Sequence, residues 1–154
     1  MSTLKLYYED LQPDMAFETA RRTITREDFE TFTRLSGDYN PLHTDADYAS
    51  SSPFGELIVQ GALVLSIGTG LANSLGYLSG TIDAFVGLDW KYRAPVKVGD
   101  TIWVALKVHK KHPMPGYHGG LVTLYVTIFN QDNKAVQKGT WTLLVRGKNS
   151  SGPQ

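Results

Sequence analysis

The sequence contains no cysteine, and its 15 acidic residues are balanced by 15 lysine and arginine residues. Without thiols, the chain cannot build a disulfide scaffold, bind a metal through cysteine, use a thiolate nucleophile or perform thiol redox chemistry. A formal net charge of zero argues against nucleic acid as a partner, because displacing counterions from phosphates takes an excess of basic side chains.

Uninterrupted apolar segments are also missing. The most apolar stretch, residues 57–78, is broken by five polar side chains: Gln60, Ser66, Thr69, Asn73 and Ser74. It is therefore a poor membrane span and a good buried helix. The first ten residues, MSTLKLYYED, are acidic and polar, unlike a secretory signal. We expect a soluble, cytoplasmic protein that has no membrane partner.

The composition that is present fits one globular domain. Hydrophobic residues make up 42% of the 154 residues and aromatic residues 11%, which is enough to form a core without disulfides. No internal repeat or low-complexity linker interrupts the chain. We expect a single domain over residues 1–146 and a flexible tail over residues 147–154, which lack apolar side chains.

Helices are predicted in the first half of the chain. The segment that begins at Thr25 has the pattern of a capping box, and Gly37 is expected to end the helix that follows. Four residues at helical spacing are assigned to its apolar face: Phe29, Phe32, Thr33 and Leu35. Residues 38–55 are predicted to be a long loop with one short helix over 45–50. Loops of this length inside compact domains are usually functional.

A second helix is predicted over residues 57–75, apolar nearly all round and therefore buried. Strands are predicted in four segments rich in β-branched and aromatic residues: 84–92, 101–110, 120–130 and 134–146. Helices followed by antiparallel strands indicate the α+β class. Because the buried helix needs cover, we expect the sheet to wrap around it, as in the hot-dog fold.

The densest polar cluster lies in residues 36–45 and contains Asp38 and His43. Pro41 restricts the backbone between them, so the two side chains can be held at a fixed separation. A carboxylate and an imidazole that flank a water form a workable acid/base pair near neutral pH. On spacing alone a simpler interpretation is favoured: Asp38 and Asn40 form turns, and His43 is a surface residue, because Asp-x-Asn-Pro is a common turn sequence.

Two further interpretations start from neighbouring residues. A metal could be held by mixed ligands, Asp38, His43, Asp45 and Asp47, but the spacing matches no known ligand pattern, and no metal is expected. Gln60 and Gly61 stand near the start of the second helix, where free N–H groups can stabilise a developing oxyanion. Taken alone, Gly61 is better explained as a packing glycine.

Several segments resemble one known family. The central match is FTRLSGDYNPLH over residues 32–43, and it continues in FGELIVQG over residues 54–61. Outlying matches are YEDL at 8–11, PVKVGD at 95–100, and NQDN at 130–133 with Gly139 and Thr140. Over nearly its whole length, the chain is similar to the MaoC-like dehydratases, which include the (R)-specific enoyl-CoA hydratases.

The resemblance implies a hot-dog fold, a homodimer or a multiple of one, and reversible hydration of trans-2-enoyl-CoA to (R)-3-hydroxyacyl-CoA. The catalytic carboxylate and imidazole of the family fall on Asp38 and His43, and its oxyanion-hole glycine falls on Gly61. Three positions are assigned to substrate binding: Asn40, Gln60 and Thr69. Many members of the family have histidine where this chain has Gln60, which affects the substrate class more than the reaction. No cofactor is implied beyond the coenzyme A of the substrate.

Two other classes of function stay open. A hot-dog thioesterase would use a carboxylate near the helix start, and Glu56 is the carboxylate in that region. A non-catalytic module that binds acyl thioesters, or a dehydratase acting on branched or dicarboxylic acyl-CoA, is also compatible with Gln60. Lys91, Arg93 and Lys97 are candidates for contacting the coenzyme phosphates at the mouth of a tunnel near the subunit interface.

Overall fold

The protein is described here by a computed structural model, which covers residues 4–148. A short 3-10 helix, Tyr8–Asp10, comes first. The described residues contain four α-helices: α1 Arg26–Ser36, α2 Pro41–Thr44, α3 Ala46–Ser50 and α4 Gly61–Ser74. The strands within residues 4–148 are β1 Ala16–Glu18, β2 Arg22–Thr23, β3 Ile82–Tyr92, β4 Thr101–Pro113, β5 Gly119–Phe129 and β6 Ala135–Arg146. Helices therefore precede the four long strands, which confirms the α+β class.

The strands form one antiparallel sheet in the order β1-β4-β5-β6-β3, and β2 pairs with the first two residues of β4. Alternate residues of the three central strands are buried, because successive side chains of a strand point to opposite faces. The register places Leu106 opposite Val126 and Leu124 opposite Trp141, and all four side chains are buried in the core. This apolar face receives α4.

Helix α1 begins and ends where the sequence predicts. Thr25 Oγ1 accepts a hydrogen bond from Asp28 N at 3.0 Å, and Asp28 Oδ2 accepts one from Thr25 N at 3.0 Å, so the capping box is formed. Gly37 has a φ of 73° and ends the helix in the left-handed region. The predicted apolar face is shorter than expected, since Phe29 and Thr33 are buried but Leu35 is 81% exposed.

Helix α4 begins at Gly61, not at Leu57 as predicted. Residues 57–60 are extended because their backbone is paired elsewhere: Val59 N donates to Val96 O at 2.8 Å, and Ile58 N donates to Leu42 O at 3.3 Å. The expectation of burial on all sides is also wrong within one chain. The sheet covers the side that carries Leu63, Val64 and Ile67, whereas the opposite side is exposed at small or polar residues: Ala62, Ser66, Gly70 and Asn73.

The remaining differences concern short elements. The loop over residues 38–55 contains two short helices, α2 and α3, where one was predicted. Strands β1 and β2 were not predicted, because two or three residues are too few to display an alternating pattern. No helix within residues 4–148 is long and apolar enough to cross a membrane.

The end of β6 continues into well-bonded chain. Gly147 N donates to His118 O at 2.8 Å, and Lys148 N donates to Glu9 Oε2 at 2.9 Å. The tail predicted over 147–154 thus begins with two residues attached to the domain, and residues 149–154 lie outside the described part of the chain.

A polar cluster joins the loop before β5 to the sheet edge. Asp83 on β3 accepts hydrogen bonds from the Tyr117 hydroxyl and from Arg146 Nη2, the latter at 2.7 Å. Arg146 and Tyr117 hold the pKa of Asp83 below its usual value through these hydrogen bonds. Burial, and then the bond to Asp83, raise the pKa of Tyr117 to about 12.

The raised pKa of Tyr117 predicts a loss of stability at alkaline pH. The folded state favours the protonated phenol, so this contribution is complete below pH ~10, where the unfolded phenol titrates, and is lost as the pH rises toward about 12. Urea unfolding at pH 8 and pH 11 should give a smaller decrease in unfolding free energy for Tyr117→Phe than for the wild type. Equal decreases in the two proteins would contradict this interpretation.

Candidate active site

A cleft of about 440 Å³ lies where the end of α1, helix α2 and the start of α4 meet the end of β3. Four of the six predicted site residues line it: Asp38, His43, Gln60 and Gly61. They come from two segments of the chain, residues 38–43 and residues 60–61, which the fold brings together.

Asp38 follows directly on the left-handed Gly37 that ends α1. Its backbone N–H donates to Ser36 Oγ at 3.1 Å, and its Oδ1 accepts a weak hydrogen bond from Asn40 N at 3.3 Å. These local bonds fix the carboxylate in a tight turn. The other oxygen, Oδ2, faces His43, and the side chain is 47% exposed. The carboxylate is therefore oriented and still reachable by a ligand.

His43 lies on α2 and is more enclosed, with 12% of its side chain exposed. Its Nδ1 is 2.7 Å from Ile58 O. Because a carbonyl oxygen can only accept, Nδ1 carries the hydrogen, and Nε2 of the neutral ring has the free lone pair. Nε2 lies 3.6 Å from Asp38 Oδ2. This distance is too long for a direct hydrogen bond and lets both groups contact one small molecule between them.

Asn40 has a structural position rather than one in the cleft. Its Oδ1 accepts a hydrogen bond from Leu42 N at 3.0 Å, so Asn40 caps α2, and Pro41 occupies the first turn. It is exposed and does not line the cleft. Asn40 thereby sets the start of the short helix that carries His43. Asp45, considered above as a metal ligand, caps α3 in the same way.

Gly61 is the first residue of α4, and its N–H has no hydrogen-bond partner within residues 4–148, as expected for the first turn of a helix. A Cβ at this position would lie 2.5 Å from Cε1 of Tyr92. Glycine at this position therefore allows the Tyr92 ring, whose side chain is 61% exposed, to lie against the start of α4. This contact supports the packing explanation for Gly61, and the oxyanion role of its N–H stays a prediction.

Comparison with known proteins shows the family to which the chain belongs. The family model described as the MaoC like domain matches residues 10–127. The chain belongs to the MaoC-like family. Protein MaoC of Klebsiella aerogenes is 38% identical over 106 residues, which are 68% of this chain and 31% of that protein. The (R)-specific enoyl-CoA hydratase of Rhodospirillum rubrum is 34% identical over 102 residues, 66% of this chain and 69% of that enzyme.

Solved structures support the fold of this MaoC-like domain. The monoamine oxidase regulatory protein of Archaeoglobus superimposes with a TM-score of 0.89 at 34% identity, covering 96% of this chain and 99% of that one. A Mycobacterium tuberculosis protein with a double hotdog fold gives a TM-score of 0.78 at 17% identity, covering 97% of this chain and 47% of the other. The predicted hot-dog fold is confirmed. The chain spans about a third of the Klebsiella protein.

Thr69 lies apart from the cleft of the MaoC-like domain. It lines a second, apolar pocket of about 100 Å³ beside the C-terminal half of α4, together with Tyr77, Phe85 and Trp141. Its hydroxyl donates to Ser66 O at 2.7 Å. Eight residues of helix separate Thr69 from Gly61, which corresponds to about 12 Å along the axis. Within one chain, Thr69 and Asp38 therefore belong to different cavities.

Of the three basic residues proposed to contact the coenzyme phosphates, one lines the cleft. Arg93 lines the cleft, whereas Lys91 does not. Lys97 Nζ is 2.8 Å from Glu56 Oε1, and this exposed ion pair engages both charges. Glu56, the carboxylate considered for a thioesterase, is not a cleft residue.

Gln137 is a further buried residue of the cleft, 2% exposed, that the sequence motifs do not identify. Its Nε2 donates to Gly61 O at 3.0 Å, and its Oε1 accepts from Trp90 Nε1 at 2.8 Å. Gln137 thus ties the first residue of α4 to the sheet. The signal was present in the sequence, because Gln137 shares the inward-facing parity of Trp141, Leu143 and Val145 on the same strand.

We predict that Gln137→Leu lowers the free energy of unfolding by about 1–3 kcal/mol, since it leaves Trp90 Nε1 and Gly61 O without this partner. Gln131→Leu is the matched control, because Gln131 also makes two side-chain hydrogen bonds but is exposed. Its expected loss is below about 1 kcal/mol. Urea denaturation measures both, and similar losses would show that Gln137 has no special role.

Proposed function

We propose that this MaoC-like domain catalyses the reversible addition of water to a trans-2-enoyl-CoA, giving an (R)-3-hydroxyacyl-CoA. The observation that carries the proposal is the pair formed by His43 Nε2 and Asp38 Oδ2, 3.6 Å apart, in a cleft that also contains the start of α4. The similarity to an enzyme named (R)-specific enoyl-CoA hydratase supports the same reaction class.

In the proposed reaction, a water bound between Asp38 and His43 gives one proton to His43 Nε2 while its oxygen bonds to C3 of the enoyl group. Electron density moves to the thioester oxygen, where the free N–H of Gly61 stabilises it. The proton held by the pair then passes to C2, so the site returns to its starting state. The thioester itself activates C3, and the chemistry needs no metal or redox cofactor.

The separation of Thr69 from the cleft leads us to propose a homodimer. Strand β3 is an edge strand with exposed apolar side chains, among them Phe85, Val86 and Leu88, which are 48–51% exposed. Exposed apolar edges favour pairing with another chain. A second copy placed along this edge would bring its own apolar pocket near the cleft, where it could receive the acyl chain. A cytoplasmic location stays a prediction.

Loss of the conjugated-thioester absorbance on mixing with crotonyl-CoA tests the reaction. Hydration removes this absorbance without releasing free thiol. Loss of absorbance together with release of free thiol would indicate a thioesterase, because hydrolysis also removes the conjugated thioester, and tight binding of the thioester with neither change would indicate a non-catalytic module. The engagement of Glu56 by Lys97 disfavours the thioesterase.

Asp38→Asn and His43→Ala should each lower kcat by about 10²–10⁴-fold, because each removes one half of the acid/base pair. Circular dichroism should report an unchanged fold. Asp47→Asn is the matched control, since Asp47 is an exposed carboxylate on α3 that does not line the cleft, and it should keep wild-type activity. Near-full activity in either of the first two variants would rule out the assigned roles.

Light scattering at micromolar concentration should give twice the chain mass of 17.0 kDa, or a multiple of that dimer. Val86→Lys places a charge on the β3 edge and should shift the protein toward monomer with loss of activity. Tyr125→Lys, at an exposed aromatic residue of the central strand β5, should remain dimeric. A fully active monomer would contradict both the dimer and the shared site.

A further inference from the structure

Gln60 is held in one orientation by a chain of hydrogen bonds. Thr33 Oγ1 donates to Phe29 O at 2.8 Å, and Gln60 Nε2 donates to Thr33 Oγ1 at 2.8 Å. The Thr33 hydroxyl has a single proton, and the Phe29 carbonyl can only accept it. Thr33 Oγ1 therefore accepts a hydrogen bond from Gln60 Nε2. The amide nitrogen of Gln60 faces α1, and the amide oxygen, Oε1, faces away from Thr33.

Gln60 Oε1 is buried and receives no hydrogen bond from any group within residues 4–148. The side chain is 3% exposed and lines the same cleft as Asp38 and His43. Buried acceptors are rarely left unpaired, because they have lost their bonds to water without replacement. The buried glutamine on the other side of Gly61, Gln137, has both ends of its amide paired. The unpaired oxygen of Gln60 therefore points to a ligand.

The polar groups of the cleft show what kind of ligand group fits. Three are acceptors: the Asp38 carboxylate, the free lone pair of His43 Nε2 and Gln60 Oε1. Donors also line the cleft, namely the N–H of Gly61 and the exposed side chains of Tyr92 and Arg93. Because Gln60 Oε1 is buried and has no donor within residues 4–148, it fits a ligand group that brings its own O–H or N–H.

We propose that Gln60 Oε1 accepts a hydrogen bond from an O–H or N–H group of the thioester ligand and so helps to select the substrate. This inference rests on the proposed thioester chemistry. Two groups of a coenzyme A thioester have the required chemistry: the hydroxyl that forms at C3, and an amide N–H of the pantetheine arm. Because an amide does not titrate, the contact has the same strength across the working pH range.

The test compares Gln60→Met with Thr33→Val. Both variants lose the Gln60–Thr33 hydrogen bond, but only the methionine variant loses the acceptor in the cleft. With crotonyl-CoA as substrate, Gln60→Met should lower kcat/KM by about 3- to 10-fold more than Thr33→Val does. This factor corresponds to the contribution of one neutral hydrogen bond. Equal losses in the two variants, or no loss in Gln60→Met, would overturn the proposal.

A second thioester distinguishes the two donor groups. S-ethyl thiocrotonate has no amide, so a contact to the pantetheine N–H predicts that the extra loss disappears with this substrate and lies mainly in KM with crotonyl-CoA. A contact to the hydroxyl at C3 predicts that the extra loss persists with both substrates and lies mainly in kcat. Either pattern supports Gln60 Oε1 as the acceptor.

Failure of the proposed reaction is detected separately. If the wild type does not turn over crotonyl-CoA, calorimetric affinities for (R)-3-hydroxybutanoyl-CoA and butanoyl-CoA replace the kinetic comparison. Weaker binding of either ligand by Gln60→Met than by Thr33→Val would support the acceptor, and equal binding of both ligands would overturn it.

Gln60→His replaces Gln60→Met if the latter does not fold. An imidazole can donate to Thr33 through one nitrogen and accept from the ligand through the other, but protonation near pH ~6.5 removes that acceptor. Below this pH, the activity of Gln60→His should decrease more than the activity of Thr33→Val. If the protein is inactive, the affinity for the ligand takes the place of activity in this comparison. Superimposable pH profiles would contradict the proposal.

Discussion

The close contact between α4 and the sheet is the constraint on which the rest of the structure depends. A Cβ at Gly68 would lie 2.8 Å from Cδ1 of Ile128, so glycine lets the helix approach the buried face of β5 closely. Gln137 then ties the start of the same helix to β6 through Gly61 O. With its middle and its first residue both fixed, α4 presents its free N–H groups at one place above the end of the sheet.

The cleft is built around that fixed helix start by an extended segment, residues 57–60. Val59 pairs with Val96 at the far side, and the carbonyl of Ile58 faces His43 Nδ1 at 2.7 Å. The same four residues thus attach the loop to the sheet and select the histidine tautomer. Had the helix started at Leu57, Ile58 O would be used inside the helix and His43 would lose the partner that fixes its ring.

Local patterns in the sequence predicted most of the fold. The capping box at Thr25, the glycine stop at Gly37 and the alternation of the long strands are short-range signals, and the elements they predict are present. The start of α4 was misplaced because Leu57, Ile58 and Val59 are as apolar as the helix that follows. What keeps these residues extended is pairing with Val96, and a pairing between residues so far apart leaves no local trace.

The site was predicted less completely than the fold, for the same reason. The motif around Asp38 and His43 has a fixed spacing, so the pair could be identified before their distance was known. The roles of Thr33 and Gln137 depend on contacts that span 27 and 76 residues along the chain. The parity of Gln137 on its strand indicates that it faces inward, but no spacing in the sequence indicates which groups these two side chains contact. Thr69 was grouped with the pair by resemblance, although eight residues of helix separate it from Gly61.

The distribution of charge explains how one cleft can serve both ends of the proposed ligand. Glu56 and Lys97 engage each other outside the cleft, which leaves Asp38 and Arg93 as the charged side chains among its lining residues. Arg93 follows directly on β3 and is exposed, so it is the basic side chain of the cleft that the phosphates of the proposed thioester would meet, while the neutral enoyl group would lie beside Asp38 and the imidazole. In that proposed arrangement, the charge at one end of the thioester orients the ligand before any hydrogen bond to Gly61 or Gln60 forms.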